Sequence, residues 1–259
     1  MRAAVCFIAA GLLAAASASY ADEAAHWRAD YEASLKAPDG WLSVAGLFWL
    51  KEGENKITIG APAKTVAFTL AKKKVFYQGR ELKPDSDDKV EIAGVSLQPI
   101  ERDGNYGIRL RDPNAETRRD FTGCKWFPAS ESWRIKAKWV PFPEPKKIAI
   151  TNILGMTDDE PSPGYAEFTL KGQTLRLQPV IEDNELFFLF KDQTTGKTTY
   201  PAGRFLYAPI PKGNEVVLDF NQSHNPPCAF TAFATCPLPP RQNTLAIAIE
   251  AGELNYGHH

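Results

Sequence analysis

From Gly40 onward the apolar residues of this chain recur with period two in short segments. Each segment closes within about ten residues on glycine, proline, asparagine or aspartate. "KITIG", "KTVAFTL", "YGIRLRD", "YAEFTLKG", "NELFFLFKD", "GRFLYAPI" and "NEVVLDFN" all follow this rhythm. In "WRIKAKW" the residues Trp133, Ile135, Ala137 and Trp139 share one face, and Arg134, Lys136 and Lys138 share the other. With 20 prolines and 18 glycines among 259 residues, little room is left for long helices. The pattern predicts an all-β fold of two packed β-sandwich or barrel-like units. The first unit is placed at residues 38–140 and the second at 146–259. "PFPEP", residues 141–145, is read as the linker, because its prolines remove ladder donors and favour extended chain. No repeat and no nucleotide-binding glycine fingerprint is present.

Two segments precede the strands. Residues 22–37 place Trp27, Tyr31 and Leu35 on one stripe of a short N-terminal helix, stopped by Pro38-Asp39-Gly40. Residues 1–21 read as a signal peptide: one arginine, an apolar run, then Ser19-Tyr20-Ala21 as a small-x-Ala cleavage site. The expectation is a periplasmic or secreted protein with no transmembrane span after cleavage. Its mature charge of about −2 gives no general attraction for nucleic acid or anionic membrane. Cys124, Cys228 and Cys236 remain in an oxidising compartment, so at most one internal disulfide can form.

Chemistry concentrates in "LDFNQSHNPPCAFTAFATCPLPP", residues 218–240. Cys228 and Cys236 form either a disulfide closing a small loop or a pair of buried free thiols. Neither close Cys-x-x-Cys spacing nor a fourth ligand accompanies His224, so no metal is expected, and no cofactor. The prolines are read as stiff bends bracketing an extended "AFTAF" that lines the mouth of a pocket. Asn221 and Asn225 stand ready to satisfy unpaired backbone at those bends. The second dense stretch is "DQTTGKTTYPAGR", which carries Asp192, Thr194, Tyr200 and Arg204. It supports two readings: a polar network pinning a hairpin, or groups that enter a pocket together with Asn221, His224, Asn225 and Cys228. A nucleophile elbow is absent, and the four histidines are too few for a general histidine-based catalytic set. Glu250 and Glu253 are available as carboxylates near the last strand.

"DGWLSVAGLFWLKEGEN", "YGIRLRD", "FKDQTTGKTTYPAGRF", "LDFNQSHNPPCAFTAFATCPLPP" and "AGE" together resemble the bacterial and fungal family catalogued as domain of unknown function 1684. The resemblance implies almost no biochemistry. Many members resemble Ala-Tyr-Asn-Pro-Pro-Cys where this chain has Ser223-His224-Asn225-Pro226-Pro227-Cys228, which weakens a family-wide role for His224. The first unit is also faintly similar to a forkhead-associated sandwich, through "EGENKITIG". Ala61 stands where a phosphopeptide reader would carry arginine, so phosphothreonine binding is not implied.

Three functional readings follow. The first is an exported soluble β-protein binding an unknown small molecule or glycan in a polar pocket of its C-terminal half. The second is a hydrolase-like enzyme using Arg204, Tyr200 and Asp192 near the Cys228 loop. The third is an envelope scaffold that binds another protein through the acidic loops "DSDD" and "TDDE". Whether any reaction is catalysed stays open at this point.

Overall fold

The computed structural model describes residues 19–60 and 62–257. Through residue 18, the expected signal segment lies outside the described residues, as do Ala61 and the terminal His258 and His259. The fold is all-β, with antiparallel sheets and a short N-terminal helix, α1 (Tyr20–Leu35). The expected helix limits of 22–37 shift by two residues because Ser19 is the N-cap. Its hydroxyl accepts from Asp22 N, and the Asp22 carboxylate accepts in turn from Ser19 N. Beyond the helix, Gly40 lies so close to the last turn that a Cβ would meet Ser34 O at 2.3 Å.

The first sandwich pairs two four-stranded sheets. One has the order β1 (Val44–Trp49), β8 (Asn105–Arg111), β7 (Val95–Arg102), β6 (Val90–Ile92). The other has the order β2 (Gly53–Ile59), β3 (Lys64–Ala71), β4 (Lys74–Tyr77), β5 (Arg80–Leu82). The inward residues of their alternating patterns, among them Phe68, Val75, Leu97 and Ile108, make one buried cluster. The second half packs a four-stranded sheet, β11 (Gln173–Leu177), β10 (Thr157–Leu170), β9 (Arg134–Thr151), β15 (Glu215–Asp219), against a three-stranded one. The latter is β12 (Val180–Glu182), β13 (Glu185–Phe190), β14 (Arg204–Pro209). Its core joins Phe168, Phe188, Phe190 and Phe220 to Leu245, Ile247 and Ile249 of the C-terminal segment. Strand β13 is buried on both faces, as its unbroken apolar run requires.

Two local expectations are corrected. "PFPEP" is not a joint between units but lies inside β9. Pro141 pairs with Gly164 and Lys146 with Ser162, so residues 142–145 bulge opposite Pro163. Proline withholds the ladder N–H, and a bulge is where a strand tolerates that loss. A Cβ on Gly164 would meet Val140 O at 2.5 Å, so the bulge closes only over glycine. "AFTAF" is not extended: Pro227–Ala229 form a 3-10 turn with proline in its first turn, a position suited to a fixed φ and no donor. Phe230 is buried behind that turn, and Phe233 is exposed.

Candidate functional site

A cavity of about 910 Å³ opens where α1, the first sandwich and the second half meet. Its apolar wall is aromatic. Phe187 and Tyr207 are cross-strand neighbours on β13 and β14, so period two puts both rings on the same face. They stack with centroids 4.6 Å apart and planes at 8°. His224 lies beyond Tyr207 at 5.9 Å and nearly parallel to it. Tyr31 of α1 lies 4.8 Å from His224, and Trp27 stacks on Tyr31 at 5.5 Å. Part of the helix stripe read as packing surface therefore reaches the cavity, through Tyr31 and Leu35. Trp41 lines another wall, with the guanidinium groups of Arg109 and Arg111 over its ring at 4.9 and 5.4 Å.

The rim is acidic. Asp158, Asp159 and Glu160 arrive on β10, beyond the proline bulge, and Asp85 comes from the "DSDD" loop. Glu182 ends β12, and Asp183 opens the turn to β13. There Asp183 and Asn184 both take positive φ (47° and 63°), the conformation a two-residue hairpin needs. Tyr207 donates its hydroxyl to Glu182, which fixes that carboxylate above the aromatic stack. The acid-rich loops read as protein-binding surface thus converge on the cavity; sequence spacing carried no sign of this.

Of the sequence-derived candidates, His224 and Asn225 line the cavity. The phenylalanine and tyrosine rings around His224 leave it half-buried, and this desolvation lowers its pKa to about 4, so the ring is neutral at pH 7. Its Nδ1 faces Gln222 O at 3.0 Å and carries the proton in that geometry, which leaves Nε2 as a bare acceptor. Asn225 is a structural clamp: its N–H donates to Glu253 Oε2 at 2.7 Å and its Nδ2 to Leu254 O at 2.8 Å. Behind it, Glu253 is fully buried and touches Tyr31 Oη at 3.5 Å. Burial raises the Glu253 carboxyl to about 7. Gly252 enables this placement. It holds φ +80°, and a Cβ there would meet Ser223 O at 2.4 Å. Close approach of the two chains is what the "AGE" motif requires.

Asp192, Thr194 and Arg204 do not line the cavity. Arg204 is fully buried and donates to Asp192 Oδ2 at 2.7 Å, to Ile249 O at 2.9 Å and to Ala251 O. Asp192 Oδ1 accepts from Thr194 N and Thr194 Oγ1 at 2.7 and 2.6 Å. This is the pinned hairpin, with an arginine that ties the C-terminal segment to β14. Tyr200 donates to Cys228 O at 3.0 Å, holding the proline-cysteine turn. Asn221 bridges Ser130 from both sides, accepting from its N–H and donating to its carbonyl. Cys228 and Cys236 are free thiols side by side: Cys228 N donates to Cys236 Sγ at 3.1 Å. Cys236 lines the cavity with Pro227, Thr235 and Pro237. Burial pushes its thiol well up, whereas the hydrogen bond from Cys236 lowers that of Cys228. Among the described residues no group of three or more His, Cys, Asp or Glu side chains is arranged to hold a metal ion. No described helix is long and apolar enough to cross a membrane.

No curated protein matches this chain. Among solved structures it is similar to an uncharacterized protein of Haloarcula marismortui determined by solution NMR. The two are 30% identical over 55% of this chain and 81% of that one, with a TM-score of 0.46. A family described as protein of unknown function (DUF1684) matches residues 119–254. That span holds the Phe187–Tyr207–His224 stack, the proline-cysteine turns and Glu253, but not Tyr31, Trp41 or Asp85. It exceeds half the chain, and the protein belongs to this family.

Proposed function

We propose that this protein is an exported binding protein for a small molecule or glycan, held in the cavity between the sandwiches. The observation that supports this is the concave aromatic wall of Phe187, Tyr207, His224 and Tyr31 beneath a polar rim, in a volume that fits one small ligand. Stacked rings give flat apolar area at low conformational cost, and the rim carboxylates orient the polar groups of a ligand. A thermal-shift screen of small molecules and glycans on the full chain tests the reading. Compounds that raise the melting temperature of the parent should lose that effect in Tyr207→Ala. Equal shifts in the variant would remove the cavity as the site. Export rests on the apolar run and Ser19-Tyr20-Ala21, and mass spectrometry of the periplasmic and secreted fractions would read the mature N-terminus.

A second reading, hydrolysis, draws on one contact. Glu253, raised to about 7, keeps much of its proton near neutral pH and touches the Tyr31 hydroxyl at the cavity wall. Arg204 and Asp192 take no part in it: all three groups are buried away from the cavity, and of them only Glu253 touches a lining hydroxyl, that of Tyr31. Turnover of a generic ester or glycoside panel that vanishes in Glu253→Gln, with the fold intact, would favour this reading over binding alone.

A further inference from the structure

We infer that the mature protein begins at Ser19, its leader cut after Ala18 and not after Ala21; this rests on the chain being exported. At the end of the apolar run the small-x-Ala pattern occurs at Ala16-Ser17-Ala18 as well as at Ser19-Tyr20-Ala21. Sequence spacing admits either bond. The fold separates them, because Ser19 and Tyr20 are working parts of the folded chain. The step is peptide hydrolysis by a signal peptidase: water adds across the Ala18–Ser19 bond, leaving a carboxylate on Ala18 and an ammonium group on Ser19.

Ser19 is the N-cap of α1. Its hydroxyl takes the Asp22 N–H at 3.3 Å, and its own hydroxyl and N–H reach Asp22 Oδ2 at 2.7 and 3.2 Å. These bonds, the hydroxyl's first, hold the Asp22 carboxyl below its ordinary range. A cut after Ala18 turns the Ser19 N–H into an ammonium group at that same carboxylate, with Glu23 next in the first turn. The acids offset a positive charge that would otherwise sit badly at the positive end of the helix dipole. A cut after Ala21 discards the cap and puts the ammonium inside the first turn.

Tyr20 is tied to the second half independently of the cap. Its hydroxyl lies 2.7 and 2.9 Å from the two carboxylate oxygens of Asp219, at the end of β15, and accepts from Asn221 Nδ2 at 2.7 Å. Partial burial, and then the Asp219 carboxylate, push the phenol well up, so it keeps the proton it donates. The Arg134 guanidinium lies over the ring, 5.8 Å from its centroid, and pairs with Glu23 at 3.3 Å. A tyrosine whose hydroxyl both donates and accepts across about two hundred positions of chain is an anchor of the fold. The helix it anchors carries Tyr31 and Leu35 to the cavity, so Ser19 and Tyr20 help to hold one wall of the candidate site.

The test is intact-mass measurement on the periplasmic and secreted fractions of cells producing the full chain, with Ala18→Leu, Ala21→Leu and Tyr20→Phe beside the parent. The parent should start at Ser19. Ala21→Leu, which alters an exposed side chain and spoils the downstream pattern, should still start there, whereas Ala18→Leu should lose that start. Tyr20→Phe should keep the Ser19 start and melt roughly 5 °C below the parent, because it loses the bonds to Asp219 and Asn221. A parent that starts at Asp22, or at any residue other than Ser19, would overturn the site while leaving export in place. Equal melting of the exported Tyr20→Phe and parent proteins would overturn the anchoring argument. A chain found only uncut and inside the cell would overturn both the cut and export.

Discussion

Replacing Glu253 by glutamine isolates a fully buried carboxyl whose charge the fold opposes. Burial raises this group from an ordinary 4.5 to about 7. An acid raised in the folded state keeps its proton longer there than in the unfolded chain. Its contribution to stability is full below pH 4.5 and is lost as pH rises through 7. The gap of roughly 2.5 units, at about 1.36 kcal/mol each, amounts to about 3 kcal/mol. His224 acts in the opposite sense. Its value falls from 6.5 to about 4 on burial, so its contribution is present above pH 6.5 and is lost as pH falls toward 4. Between pH 4.5 and 6.5 the folded protein keeps both groups neutral and the unfolded chain charges both. The two slopes then nearly cancel in the parent. Glu253→Gln cannot titrate, yet its amide oxygen can still accept from Asn225 N. Urea unfolding of both proteins at pH 4.5, 5.5, 6.5 and 7.5 separates the effects, since every other titrating group is common to the two. The variant should match the parent at pH 4.5 to within the altered hydrogen bonds, and gain about 3 kcal/mol on it by pH 7.5. A difference that stays flat with pH would refute the reasoning, because it would mean that the fold does not disfavour the Glu253 charge.

Arg204→Met strands the Asp192 carboxylate in the core, and denaturant unfolding should show a loss of about 3–5 kcal/mol; less than 1 would mean that water reaches the pair. Gly252→Ala puts a methyl group 2.4 Å from Ser223 O at φ +80°, and should lower stability by more than about 2 kcal/mol or prevent folding. A melting temperature equal to the parent's would show that the two chains can part without loss. Diamide, a mild two-electron oxidant, should remove one hydrogen from each of Cys228 and Cys236 and join them, raising stability by roughly 2 kcal/mol through closure of a short loop. Alkylation that still labels both Cys228 and Cys236 after oxidation would show that the thiols cannot reach bonding geometry.

The strands were readable because period two depends on each segment alone. In "WRIKAKW" it put Ala137 and Trp139 inside and Lys136 and Lys138 outside, as found. The Asp192 turn was readable for the same reason: its capping partners, Thr194 and Arg204, lie within twelve positions. The cavity was not. Tyr31, Asp85, Glu160, Glu182, Tyr207 and His224 come from six separate segments, and only the packing of both sandwiches with α1 brings them together. Their local patterns are those of an ordinary helix stripe, ordinary acidic loops and an ordinary strand. Proline misled in one direction. It forbids a central ladder position, as at Pro143 and Pro145, but a bulge satisfies that rule as well as a linker does.

The proline bulge of β9 has a further consequence for how such a scaffold diversifies. Beyond it, β9 and β10 continue as a two-stranded arm, residues 146–162, which carries Asp158, Asp159 and Glu160 to the cavity. Near its far end the arm is moored to the cysteine turn by Ile153 N to Cys236 O at 3.0 Å and Leu238 N to Thr151 O at 2.8 Å. Residues added or removed at positions 142–145 would advance or withdraw the three carboxylates as a set. The aromatic floor stands on β13 and β14, and Ile148 and Ile150 of the arm are buried in one cluster with its Phe187 and Phe205. Selection acting on a few exposed bulge residues thus has a spacer between charge and ring whose length is set together with the seating of those two isoleucines.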